Sequence, residues 1–382
     1  MNNHFDNDIQ GASAFPSPIK QRYWEIGEHR LLHDLLECFM KAVLDGSQIP
    51  FEIRSTQRRK SAVRTLRTDD QVNLAHFFSK CREMMDLYWP GYAYSPDFQL
   101  FFDGYREHLF GRLGLGGSPA QLLPNGILAA EVFNDFVLHL RQEAVARKVK
   151  KAMWSARKEG LKYQEQTINQ WLRFGMPTDR AVLPFRLELL CPVTAVVESE
   201  KMPRMSWRCS ETGEWEQVPC MVPSLDGIAE YRSRIDARAA FQDRELFFGN
   251  RRGVDAELFD AVPTYLCKVE CGGEHGALHL HVVLMVDVSK GRSLDWILDR
   301  ASARWARITG GRGYVFNSNT MSDRASLEAK GLWALDVLAP GDMQQRDKLQ
   351  RYVTGYFAKD EQGLSVKPAE RSRTLTKGQL LK

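Results

Sequence analysis

Apolar residues recur at helical spacing at Leu31, Leu32, Leu35, Leu36, Phe39 and Met40, which predicts an amphipathic helix there. Similar stripes at 69–88 and 126–145 extend a helical pattern from Tyr23 to about Leu172. The last of these follows a Gly- and Pro-rich loop (GLGGSPAQLLPNG) and runs on into basic sequence. The period changes near Pro177. Residues 181–196 (AVLPFRLELLCPVTAV) alternate in part and carry β-branched side chains, which predicts a strand. Residues 197–223 hold Trp207, Trp215 and several turn residues, and read as a hairpin or insertion. An amphipathic helix is expected over 225–247. Strands at 263–270 and 278–286 flank a short Gly-rich turn at 271–277, the pattern of an antiparallel hairpin. Helices follow at 293–308, which carries Trp296 and Trp305, and at 344–359.

The two ends lack such patterning. Residues 1–20 read as a flexible tail and 362–382 as a polar, basic one. Between them the pattern predicts a mostly helical accessory module over 21–175. An α+β domain follows over 176–361, an antiparallel sheet with flanking helices.

Composition adds limits rather than a function. Of 382 residues, 43% are hydrophobic and 26% charged, which suits packed cores and excludes a disordered chain. A net charge of +4 and a pI of about 8.6 permit a nucleic-acid partner without requiring one. No apolar run reaches the length of a membrane span, so no membrane partner is expected. The opening MNNHFDNDIQ has no basic segment followed by an apolar one, so it is not expected to be a signal peptide, and a cytoplasmic protein is expected from the cysteines. The seven cysteines (Cys38, Cys81, Cys191, Cys209, Cys220, Cys267 and Cys271) show no C-x-x-C spacing, as expected of free thiols in a reducing compartment.

Candidate chemistry begins at His279-Leu280-His281. In a strand, residues i and i+2 share a face, so the two imidazoles aim at one point from a rigid backbone. Leu278, Leu280, Val282 and Leu284 fill the other face, which predicts a central strand. The pair alone fits either metal ligands or hydrogen-bonded surface histidines. Other H-x-H metal sites match poorly. The metallo-β-lactamase pattern needs acid and His where Val283 and Leu284 stand, cupins need a later His that this chain lacks, and amidohydrolases need a large barrel after the motif. Glu270, at the end of the preceding strand, is the preferred third ligand. Glu274 and His275 sit in the turn, a poorer position.

The second group lies on the helix QQRDKLQRYVTGYFAK. Tyr352 and Tyr356 are four apart and share a face, and Lys359 falls three further on. Leu349, Val353 and Phe357 make the buried stripe beside them. Such tyrosines are commonly rim residues of a buried helix. A phenol with a free pKa of about 10 needs a nearby cation to attack a phosphodiester, and the histidine pair could hold one.

At these residues the chain resembles the HUH endonuclease superfamily, named for His, a bulky hydrophobic residue, and His. In its replication-initiator branch the tyrosines follow the histidines, as here. Tyr352-Val-Thr-Gly-Tyr356-Phe-Ala-Lys359 looks like the two-tyrosine motif of microvirus gene A proteins. K-V-E before a short turn, then H-L-H-V, then Tyr-Phe-Ala-Lys, is similar to inovirus gene II-like and YagK/YfjJ-type prophage proteins. Gly355 stands where gene A proteins often carry Lys, and a helical Gly costs roughly 1 kcal/mol. The resemblance covers about 180–360. It implies an HUH fold and a magnesium or manganese ion (Mg2+ or Mn2+) held by Glu270, His279 and His281. It also implies nicking and rejoining of single-stranded DNA through a 5′-phosphotyrosine on Tyr352 or Tyr356, with Lys359 assisting. Such an enzyme initiates rolling-circle replication of a phage or mobile element. The readings left open beside it are an HUH transposase and a non-cleaving DNA-binding regulator. A nuclease that processes RNA is a further one. No Walker A motif is present, so a separate host helicase would do the unwinding.

Arg147, Lys148, Lys150, Lys151, Arg157 and Lys158 surround Trp154, and Arg58, Arg59, Lys60 and Arg64 form a second basic cluster. Basic side chains with an interleaved aromatic suit phosphate contact and base stacking, although a solvated helix face reads the same way. The first cluster is the expected contact of the helical module with origin hairpin or duplex DNA.

Overall fold

The computed structural model describes residues 28–56, 60–65, 72–88, 92–190, 205–209, 215–219, 237–249, 251–272, 277–311, 313–318, 323–329, 331, 333–358 and 366–378. The helical stripe at Leu31–Met40 lies on α1 (Glu28–Asp45). A hairpin that the pattern did not suggest follows, β1 (Phe51–Ser55) and β2 (Lys60–Arg64). The stripe at 69–88 is not one helix. It breaks into a 3-10 turn (Leu74–Ser79), α2 (Cys81–Met84) and a second 3-10 turn (Met85–Leu87). Its buried Phe78, Cys81, Met84 and Leu87 are spaced by three, the repeat of a 3-10 helix. After β3 (Ala93–Tyr94) come α3 (Pro96–Glu107), α4 (Leu109–Arg112), α5 (Ala129–Ala146) and α6 (Val149–Gln170). Phe39, Phe77, Phe101, Phe110, Phe133 and Phe136 interlock in the core of this module, with Phe101 edge to face against both Phe39 and Phe136.

Helix α6 links the two halves. Val149 at its start lies in the aromatic core and Ile168 at its end in a second core. It finishes in a wider π-helical turn (Trp171–Gly175), where the Trp171 indole donates to Thr264 Oγ1 at 3.0 Å.

The remaining elements are β4 (Val182–Leu190), β5 (Met205–Cys209), β6 (Trp215–Pro219), α7 (Ala237–Phe248), α8 (Ala256–Ala261), β7 (Thr264–Gly272), β8 (Ala277–Asp287), α9 (Leu294–Thr309), β9 (Tyr314–Asn317), α10 (Asp323–Ala329), α11 (Met343–Phe357), β10 (Val366–Lys367) and β11 (Leu375–Lys377). Strands β5 and β6 pair as the expected hairpin. The expected helix at 225–247 is described only from Ala237, and its earlier part lies outside the described residues.

The α+β class holds. Five antiparallel strands form one sheet in the order β11-β7-β8-β4-β9, with β8, the histidine strand, in its middle. The 362–382 tail is corrected. Leu375–Lys377 pairs with β7 as an edge strand, and Val366–Lys367 pairs with β3 of the helical module. Three residues with one buried leucine leave no readable period, so the partner strand decides this pairing.

One sheet face, with Phe185, Leu187, Leu189, Val269, Leu280, Val282 and Leu284, packs on α7 and α9. The other meets α11 through Val182, Leu266, Val283 and Met285, against Leu349, Val353 and Phe357. Asp342 caps α11 by accepting from the Gln345 amide, and the helix runs unbroken through the exposed Gly355.

Candidate functional site

The register of three strands builds the site. Glu270 of β7 lies opposite His279, and Lys268 opposite His281. On the other side of β8, Glu188 of β4 lies opposite His281, with Arg186 two residues before it on the same face. Helix α11 packs on this face at Val283 and Met285, and its Tyr356 reaches His281.

His279 Nε2 and His281 Nε2 are 2.9 Å apart, and His281 Nε2 is 3.0 Å from Glu270 Oε2. Ligand atoms of all three lie within 4.8 Å of one another. Neighbouring ligands at right angles on an ion bound at about 2.1 Å stand about 3.0 Å apart, so these two spacings fit an octahedral divalent ion. Two imidazoles and a carboxylate also suit a divalent metal by donor type. The other Glu270 oxygen, buried, takes the Lys268 ammonium at 3.0 Å without hydrogen-bond alignment.

Electrostatics point the same way. Burial pushes the His281 imidazolium down, but hydrogen bonds and charge from Glu188 and Glu270 outweigh it, so its pKa is raised. Burial pushes the Glu188 carboxyl up, yet His281 and Arg186 bring it down to about 2. Glu270 is likewise lowered, burial being outweighed by His281 and Lys268. Two ionised carboxylates on one imidazole favour positive charge at that point, which a metal ion could supply in exchange for the proton.

The tyrosines are tied to this group by one guanidinium. Arg186 donates from Nη1 to Tyr352 Oη at 3.2 Å and from Nη2 to Tyr356 Oη at 2.6 Å. Its Nη2 also reaches Glu188 Oε1 at 2.9 Å, and its carbon lies 4.0 Å from the Tyr356 ring centre. The two rings are parallel, with centres 6.2 Å apart. Tyr356 Oη is also 2.8 Å from His281 Nδ1. Burial pushes the Tyr356 phenol well up, and Arg186 recovers only part of that.

The fold thus gathers Glu270, His279, His281, Tyr352 and Tyr356 in one place. Lys359, Glu274, His275, Arg58 and Arg59 lie outside the described residues. The 147–158 cluster is at the exposed start of α6. There Arg147 pairs with Asp103 and Glu143, and Lys150 with Asp45. Lys158 lies 4.8 Å over the exposed Trp154 ring. A further group, His33, Asp34 and Glu37 on α1, has two exposed acids of a kind common without an ion.

Three residues of the site were not singled out from sequence, Arg186, Glu188 and Ser318, whose hydroxyl donates to Glu188 Oε1 at 3.1 Å, and Lys268 entered only as the first residue of K-V-E. Arg186 and Glu188 did leave a signal, as two charged residues spaced by two in an otherwise apolar strand. No protein-family model, curated protein or solved structure matches this chain.

Proposed function

We propose that the chain is a metal-dependent endonuclease of the HUH type. It nicks and rejoins single-stranded DNA through a phosphotyrosine and serves the rolling-circle replication of a phage or mobile element. One observation carries the reading. A metal-competent triad and a phenol stand on the same imidazole, the triad through His281 Nε2 and Tyr356 through His281 Nδ1.

Glu270, His279 and His281 would hold Mg2+ or Mn2+, which polarises the scissile phosphate and raises the local positive charge. Tyr356 is the first nucleophile, because it stands closest to the triad. Its phenol oxygen attacks phosphorus and the 3′-oxygen leaves, so a 5′-phosphotyrosine and a free 3′-hydroxyl result. Arg186 hydrogen-bonds both phenols and offsets the charge that develops on either. Tyr352, one turn back on α11, is the second nucleophile. Glu188 orients His281 and keeps its Nε2 turned to the triad. Lys359 and the 147–158 cluster remain part of the proposal as further cationic contacts to DNA.

The test incubates the protein with Mn2+ and single-stranded DNA from the locus that encodes it. A protein–DNA adduct that survives denaturing electrophoresis is expected, and it should vanish when Tyr352 and Tyr356 are both changed to Phe. An adduct that persists in the double variant, or none with any strand of the locus, would sink the reading.

A further inference from the structure

Among the described residues, exposure on the site's face of the sheet rises in one direction. Two rows of side chains cross its face of the sheet, from β7 through β8 and β4 to β9. One row runs Lys268, His281, Glu188, Phe316, and the other Glu270, His279, Leu190, Tyr314. Exposure rises along both. Lys268 and Glu270 are buried, Glu188, His279 and Leu190 are half-buried, and Phe316 and Tyr314 are 38% and 53% exposed. Helix α11 closes the other end of the face through Val283 and Met285. Among the described residues β9 is the edge of the sheet, and its Val315 points to the opposite face, into the core shared with α9. Tyr314 and Phe316 therefore present two exposed rings side by side, two strand spacings (roughly 10 Å) from the histidines.

We infer that Tyr314 and Phe316 form a stacking platform for the bases of single-stranded DNA next to the phosphate held at the triad. The inference rests on the nicking function proposed above and extends it to the substrate path. An exposed apolar pair on an edge strand invites edge-to-edge association unless it has a partner, and every nucleobase offers an aromatic face to fill that role. The occupant is a nucleic acid rather than a peptide because both rows lead from the rings to phosphate-type chemistry. That chemistry comprises the Arg186 guanidinium, the metal-competent triad and the two phenols. Stacking tolerates any base, so the platform would hold the strand without setting its sequence.

The test uses the full chain in EDTA, so that no strand is cut, and a fluorescein-labelled thymidine 20-mer followed by anisotropy. Tyr314→Ala and Phe316→Ala should each weaken binding about 5- to 100-fold. Tyr314→Phe and Phe316→Tyr should keep wild-type affinity, because they keep the rings. A 20-mer of abasic sites should bind more weakly and respond little to the alanine changes. Thermal melting by circular dichroism should show all four variants folded as the wild type is, since both side chains are exposed. Wild-type affinity in the alanine variants would overturn the platform, as would equal losses on the thymidine and abasic strands. So would a wild-type chain that fails to bind the thymidine strand. A change of oligomeric state with DNA affinity intact would also overturn it and assign the edge to a second copy. The adduct assay reports separately: an adduct with binding unmoved removes only the platform, and ring-dependent binding with no adduct removes only the nuclease.

Discussion

The two faces of the central sheet share the same strands and differ in almost everything else. Toward α7 and α9, Phe185, Leu187, Leu189, Val269, Leu280, Val282 and Leu284 form an apolar layer. On the reverse, Arg186, Glu188, Lys268, Glu270, His279 and His281 form a charged cluster beside the apolar Val182, Leu266, Val283 and Met285 that dock α11. Hydrophobic burial rewards the first arrangement at roughly 25 cal/mol per Å². The second costs desolvation that ion pairing barely repays, and apolar residues of similar volume would serve stability as well or better. The apolar layers hold the fold, and the charged cluster is what the proposed chemistry would use.

The largest test of that division is at the proposed nucleophile. Tyr356→Phe should slow the first cleavage about 10³-fold or more, measured as adduct accumulation on a denaturing gel. Tyr352→Phe should slow that step less, and equal losses would remove the distinction between the two phenols. Next comes stability. Leu280→Ala should cost about 2–5 kcal/mol in urea unfolding while the folded protein keeps its Mn2+ affinity. Changing Lys268→Met and Glu270→Leu together should leave stability level or raise it by about 1–4 kcal/mol and abolish Mn2+ binding. A strongly destabilised double variant would mean that the charged face also holds the fold. A smaller effect is expected of Glu188→Gln, with Mn2+ affinity falling about 10- to 100-fold by titration calorimetry. Unchanged affinity would deny Glu188 its hold on His281.

The smallest effect belongs to the apolar side. Asp255, just before α8, pairs with Arg304 and Arg307 of α9. Burial pushes its carboxyl up, but hydrogen bonds from Arg307 and Arg304 outweigh this and hold it below the ordinary carboxylate range. Its folded pKa is thus below its unfolded one. The stability it adds is complete above the unfolded value near 3.9 and is lost as pH falls through the folded value. Asp255→Asn should therefore flatten the acid limb of melting temperature against pH, and a limb of unchanged slope would deny the pair this role.

Periodic elements were legible, and the exceptions have physical causes. Strand β8 and helices α9 and α11 follow from alternation and helical spacing to within a residue or two. The 69–88 stripe misled because residues three apart line one side of both an α-helix and a 3-10 helix. Edge strand β11 could not be read because Leu375 is its one buried residue and its pairing depends on β7. In the site, His279 and His281 were legible because alternation alone puts them on one face. Glu270 followed from the hairpin, where a short connection fixes the register.

The sequence by itself determined the local facts: an H-x-H pair on one strand face, an acid at the far side of a hairpin, and two phenols on one helix face. Each depends only on the repeat of a strand or a helix. Only the tertiary structure decided what meets what. Arg186 and Tyr356 are 170 positions apart, and Glu188 and Ser318 are 130 apart. No local period links such pairs. Their contact is set by the order of strands in the sheet and by the apolar stripe that docks α11 across it. Those are choices of the whole core, made by the burial of residues that take no part in the chemistry.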